Sequence, residues 1–213
     1  MMSIASNVAD VRQRLSVQTI VAATKYVGAT QMRELFQAGI RDFGENRVKD
    51  FLEKKAELSD LEVTWHFIGH LQSNKVKQVI NEIDVLHSLD RMSLADEIQK
   101  YRQTPLPCFL EVHISDEDSK AGLPISEVRN FVLKIANHDK IQVIGLMGMA
   151  SLSFDEELLR RQFQSLKQLA NELERNGLGK MYLSMGMSND FEIAASVGAT
   201  HVRLGSILFG NEV

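Results

Sequence analysis

Short apolar runs alternate along the chain with longer stretches whose hydrophobic positions recur at helical spacing. The runs predict strands at 20–24, 42–44, 64–68, 85–88, 108–114, 142–147, 181–184 and 201–204. Helical periodicity predicts helices at 30–38, 47–58, 75–83, 93–102, 125–137, 155–176 and 190–197. The longest of these puts Leu158, Leu159, Phe163, Leu166, Leu169, Ala170 and Leu173 on one face. Residues 1–15 carry Asp10, Arg12 and Arg14 at close spacing with no apolar core segment; they are assigned no element and do not read as a signal peptide.

Eight strands alternating with helices match the count of a (β/α)8 TIM barrel. Periodicity does not reveal closure, so an open doubly wound sheet is the competing arrangement; the strand count and the 213-residue length favour the barrel. Only three prolines occur, and no Gly/Ser-rich linker or internal repeat interrupts the pattern. The expectation is one domain spanning 1–213.

Composition narrows the function classes. Hydrophobic residues make up 44% and charged residues 24%, which is ordinary globular usage. A formal net charge of −4 without a densely basic stretch argues against nucleic-acid binding. No run of eighteen apolar residues suggests a membrane span. Cys108 is the only cysteine, so no intrachain disulfide can form and a reducing, cytoplasmic setting is expected. Lying in an apolar run, it reads as a buried filler.

In a barrel the chemistry belongs at the carboxyl ends of the strands. Lys25 follows the first strand, where apolar neighbours would desolvate its ammonium and favour the neutral amine that captures aldehydes as a Schiff base. The segment Ser184 to Ser188 is rich in Gly and Ser, and Ser188 is expected to cap the helix that follows, a seat for phosphate. Gly205 and Ser206 supply a second such turn after strand eight. Arg203 shares a strand face with Gly205 and needs an acceptor, either a structural salt bridge or a ligand's ring nitrogen. An amine, a phosphate seat and a partner for a ring nitrogen together describe a pyridoxal phosphate site. His66 and His70 are four apart but flank a strand end and not one helical face, so no metal site is expected.

Five segments carry a resemblance over nearly the full length: Ala22-Ala23-Thr24-Lys25-Tyr26-Val27, Phe43-Gly44-Glu45-Asn46-Arg47-Val48, the run from Trp65 through His66, Gly69 and His70 to Lys75, the run from Leu183 to Glu192, and the run from Val202 to Gly210. They resemble the YggS/PROSC family of pyridoxal phosphate homeostasis proteins. The resemblance implies a barrel like the N-terminal domain of alanine racemase, with pyridoxal 5'-phosphate as cofactor. It implies Lys25 as the Schiff-base lysine, Ser188, Gly205 and Ser206 at the phosphate, and Arg203 at the pyridine nitrogen. Asn46 would sit at the pocket rim, with Met147 packed near the cofactor. His113, where asparagine is expected, and the absence of proline after Ala150 alter only the rim.

The expected role is buffering or delivery of the cofactor rather than catalysis. A racemase needs a second acid–base group opposite the lysine, which alanine racemase takes from another domain. This sequence ends shortly after strand eight, so no such domain is expected here. An arginine at the ring nitrogen also keeps that nitrogen unprotonated and the cofactor a weak electron sink. A low-activity amino-acid racemase and a barrel enzyme for another phosphorylated metabolite stand as alternatives. Apo pyridoxal-phosphate enzymes are the expected recipients, a monomer the expected state, and Lys120 a candidate for a second cofactor site.

Overall fold

In a computed structural model, residues 3–115 and 121–210 are described. Lys120 lies outside the described residues. Eight parallel strands form a closed ring: β1 (Thr19–Ala23), β2 (Asp42–Glu45), β3 (Thr64–Phe67), β4 (Val85–Leu89), β5 (Leu106–His113), β6 (Ile141–Met149), β7 (Tyr182–Ser184) and β8 (His201–Leu204). Their order is β4-β3-β2-β1-β8-β7-β6-β5, and β4 pairs with β5 to close the barrel. A two-residue strand, Leu123–Pro124, pairs beside β5 outside the ring. Closure decides between the two architectures left open by periodicity, in favour of the (β/α)8 TIM barrel.

The helices are α1 (Ile4–Arg14), α2 (Ala29–Gln37), α3 (Val48–Glu57), α4 (Val76–Val79), α5 (Met92–Tyr101), α6 (Ile125–Lys134), α7 (Glu156–Leu173), α8 (Phe191–Val197) and α9 (Ser206–Phe209). The main core fills the layer between them and the outward faces of the strands. Phe43 and Phe51 meet Trp65 edge-on there, at 5.8 and 5.3 Å between ring centroids.

The short helix α9 and the strand Leu123–Pro124 were not expected, and three other elements also differ from expectation. Helix α1 was not foreseen: Ser3 accepts the Ser6 amide at 3.2 Å as its cap, and Ile4, Val8 and Val11 bury one face. The helix expected at 75–83 is reduced to a 3₁₀ turn at Ser73–Lys75 and the short α4. Its end is fixed from outside, because the Arg102 guanidinium donates to the carbonyls of Ile80 and Ile83. Helix α7 gives way to a wider turn at Glu174–Leu178, where Gly177 takes a φ of +92°.

The barrel interior differs in chemistry from the outer layer. TIM-barrel interiors are dominated by branched aliphatic side chains. Here His66, His87, Ser184 and Arg203 are all buried and hydrogen-bonded to one another or to backbone carbonyls.

Candidate functional site

Strand alternation sets the lysine. Ala23 and Lys25 both line a cavity at the carboxyl end of β1, while the intervening Thr24 turns to the outside and is buried. Thr24 donates its hydroxyl to Glu45 Oε1 at 2.5 Å. Lys54, from α3, donates to Glu45 Oε1 at 2.6 Å and to the Thr24 carbonyl at 2.7 Å. This brace fixes the strand end that carries Lys25.

Lys25 itself is exposed, its Nζ 4.7 Å from the Tyr26 ring centroid, and Tyr26 is 70% exposed. The apolar surroundings expected for the ammonium are therefore absent. Its placement at the cavity, not burial, singles it out.

The cavity has a volume of about 610 Å³ and also takes in Ser188, Arg203, Gly205 and Ser206. Ser188 does not cap a helix. The cap position falls to Asp190, whose carboxylate accepts the Met187 amide at 2.5 Å, and α8 begins at Phe191. Ser188 Oγ instead accepts the amides of Gly205 at 3.2 Å and Ile207 at 3.4 Å. The loops after β7 and β8 thus aim two backbone donors at one hydroxyl on the cavity wall. Gly186 makes the bend possible at φ +93°, with no room for a Cβ beside Ala194.

Arg203 is 5% exposed. Nη1 donates to the Ser184 carbonyl at 2.7 Å and to Ser184 Oγ at 2.6 Å, and Nη2 to the Gly148 carbonyl at 3.1 Å. Nε has no hydrogen-bond partner among the described residues. Burial pulls the guanidinium down to about 10, against the pull of Asp190 and Glu111. It stays protonated at neutral pH.

Five expected site residues therefore meet in one cavity: Lys25, Ser188, Arg203, Gly205 and Ser206. Asn46 and Met147 do not line it. Asn46 faces a neighbouring cavity of about 660 Å³ with Arg47, His70 and Lys75, and its Oδ1 is buried without a partner among the described residues. Met147 is buried inside the barrel, in register with Glu111 and Ser184.

Glu111 was missed. Burial pushes its carboxyl up to about 7, with the charge of Asp90 adding to the rise and Arg203 and Arg91 opposing it. The available signal was a lone acid in the apolar run 108–114, two residues on from the inward Phe109. Cys108 is fully buried, and burial raises its thiol far above the usual range, as befits a filler. No group of three or more His, Cys, Asp or Glu suited to a metal occurs among the described residues. No helix among them is long and apolar enough to cross a membrane.

Fold and cavity define the class: a family model described as alanine racemase, N-terminal domain, matches residues 1–213. Among curated relatives, a pyridoxal phosphate homeostasis protein of Aquifex aeolicus is 40% identical over 198 residues, 90% of this chain and 86% of that one. The Escherichia coli K12 protein of the same name is 34% identical over 99% of this chain and 97% of its own. The chain belongs to the pyridoxal phosphate homeostasis proteins, within the alanine racemase N-terminal class. PipY of Synechococcus elongatus PCC7942, solved with PLP bound, superposes with a TM-score of 0.90 at 33% identity, covering 98% of this chain and all of that one. Alanine racemase of Corynebacterium glutamicum shares the fold at 14% identity, with a TM-score of 0.79 over 98% of this chain and 60% of its own.

Proposed function

We propose that this protein binds pyridoxal phosphate reversibly at Lys25 and serves the balance of that cofactor in the cytoplasm, by buffering or by delivery to apo enzymes. The observation that carries the reading is the meeting, in one cavity, of a lysine, two converging backbone donors and a buried arginine with an unspent Nε. The donor set suits the cofactor: Ser188, Gly205 and Ser206 would hold the phosphate, and Arg203 would donate to the ring nitrogen. When bound, the cofactor supplies an aldehyde that a primary amine captures reversibly, and Lys25 is that amine. Asn46 would form the adjoining rim, and Met147 would pack beneath the floor.

Holding is favoured over turnover by Arg203. A guanidinium that keeps its proton leaves the ring nitrogen unprotonated, which weakens electron withdrawal from any carbanion. Tyr26 stands beside Lys25 rather than across the cavity from it, so we assign no catalytic residue. A weakly active racemase is the second reading. It rests on Glu111, whose carboxyl is raised by burial to about 7 and which lines not the Lys25 cavity but a second one that shares Met187 with it.

The test is to load the purified protein with pyridoxal phosphate, reduce it with borohydride, and map the modified peptide by mass spectrometry. A yellow protein with the label on Lys25, lost in Lys25→Ala, is expected. A colourless protein, or a label confined to other lysines, overturns the reading. Turnover of a free amino acid, lost in both Lys25→Ala and Glu111→Gln, would establish the racemase.

A further inference from the structure

A chain of hydrogen-bonded side chains runs through the barrel interior and ends on Arg203. Asp42 Oδ1 lies 3.0 Å from His66 Nε2. His66 Nδ1 lies 2.9 Å from His87 Nε2, and His87 Nδ1 lies 2.9 Å from Ser184 Oγ. Ser184 Oγ in turn receives Arg203 Nη1 at 2.6 Å. His66, His87, Ser184 and Arg203 are buried. Asp42, the first residue of β2, is 26% exposed at its side chain and lies outside the lining of the Lys25 cavity.

The chemistry of the two ends fixes the direction of every bond between them. A guanidinium only donates, so Ser184 Oγ accepts from Arg203. The buried Ser184 hydroxyl has one other partner, His87 Nδ1, and leaving its proton unpaired would carry a desolvation penalty. It therefore donates to His87 Nδ1. Burial and the neighbouring charges of His66, Arg203 and His201 hold His87 well below its ordinary range, hence neutral. Its one proton sits on Nε2 and is donated to His66 Nδ1. His66 then donates from Nε2 to the Asp42 carboxylate.

We propose that Asp42, His66 and His87 are positioning residues for Arg203. They form a one-way donor chain, Arg203 to Ser184 to His87 to His66 to Asp42, that couples the anion at the far end to the grip on a ligand's ring nitrogen. Cation and anion stand at opposite ends with neutral dipoles aligned between them, so each link strengthens the next. Remove the final acceptor and His66 can take the other tautomer. His87 then turns its proton toward Ser184, whose own hydroxyl hydrogen is left without an acceptor beside Arg203. Other charged or titratable groups face the chain: His201 packs against His87 from β8, and Asp190 and Glu111 act on Arg203. None of them interrupts it.

The coupling to ligand rests on the proposed pyridoxal phosphate site, while the chain itself does not, and the experiment separates the two. Histidine-ring ¹⁵N NMR of the cofactor-free protein is expected to find both His66 and His87 protonated on Nε2. A His87 protonated on Nδ1 overturns the chain whether or not any cofactor binds. Titration with pyridoxal phosphate then reads the coupling in the Lys25 chromophore. Asp42→Ala should weaken binding about tenfold, the size of one charge-assisted hydrogen bond. Asp42→Asn, whose Oδ1 still accepts from His66, should recover most of that loss. In a Ser184→Ala background, where the chain is already cut, Asp42→Ala should change affinity less than about twofold. Equal effects in both backgrounds, or no effect of Asp42→Ala in the intact chain, would overturn the coupling. Failure of the unaltered protein to bind the cofactor refutes the site reading and leaves the NMR result to decide the chain.

Discussion

Gly186 stands at φ +93° between β7 and Ser188, and a Cβ there would lie 2.7 Å from the Ala194 Cβ and 3.0 Å from the Phe191 Cα. Gly186→Ala should therefore cost about 2–3 kcal/mol of stability in urea denaturation, the strain of a left-handed backbone plus a clash with α8. Two residues along, Ser188→Ala removes the acceptor shared by the Gly205 and Ile207 amides. That change should weaken pyridoxal phosphate binding roughly tenfold with little change in Tm, one hydrogen-bonding group on a cavity wall being lost. At this scale the candidate site was largely legible in the sequence. Lys25, Ser188, Arg203, Gly205 and Ser206 all lie at strand ends that apolar runs make visible. The role of Ser188 was not legible, because a serine before an acidic turn looks like a cap whichever residue does the capping. Nor was the setting of Lys25, since apolar residues before it in sequence do not surround its ammonium in space.

Secondary-structure elements are tied together around β1 by Glu45, which is fully buried and whose Oε1 accepts hydrogen bonds from Thr24 and from Lys54 of α3. Lys54→Met would strand that carboxylate without its cation, and a loss of about 3–5 kcal/mol in chemical denaturation is expected. A second change, Glu45→Gln, should restore part of it by removing the charge. A simple additive loss would show that the ion pair is not what holds α3 to the strand end. All eight strands were readable, most of them as compact apolar runs between helical stretches, although β2 has only Phe43 as a large apolar residue. Helix α1 was hidden by its three-residue apolar stripe, Ile4, Val8 and Val11, set among charges. Helix α4 was overestimated because its stop signal, Arg102, lies 22 residues from Ile80 in the chain.

The whole molecule carries a buried and a half-buried titratable group that pull stability in opposite directions with pH. Glu111 has its carboxyl raised from 4.5 to about 7, so between those values the folded state holds a proton that the unfolded state has released, and stability falls as pH rises. Glu111→Gln should abolish that slope, a difference of roughly 2–3 kcal/mol between pH 4.5 and 7.5 by the unit-shift conversion. His201 is lowered by burial from 6.5 to about 4. Its contribution is complete above pH 6.5 and is lost as pH falls toward 4, so His201→Gln should flatten the acid limb instead. Denaturation midpoints at several pH values check both. Glu111 left a trace in the sequence as a lone acid in an apolar run, but neither shift was legible there, since burial inside the ring depends on closure and on which residues alternate inward. Closure also sets when the cavity can exist. Lys25 follows β1 while Arg203 and Ser206 lie on or just after β8, the neighbour of β1 in the ring. Two margins drawn from opposite ends of the described chain meet at a single seam, and a ligand spanning it acts as a rivet. Occupancy at a hundredfold excess over the dissociation constant would add about 2.7 kcal/mol against any opening that parts the margins. Amide exchange along the β1–β8 ladder would slow by about a hundredfold on loading, making the cofactor a reporter of whether the barrel is shut.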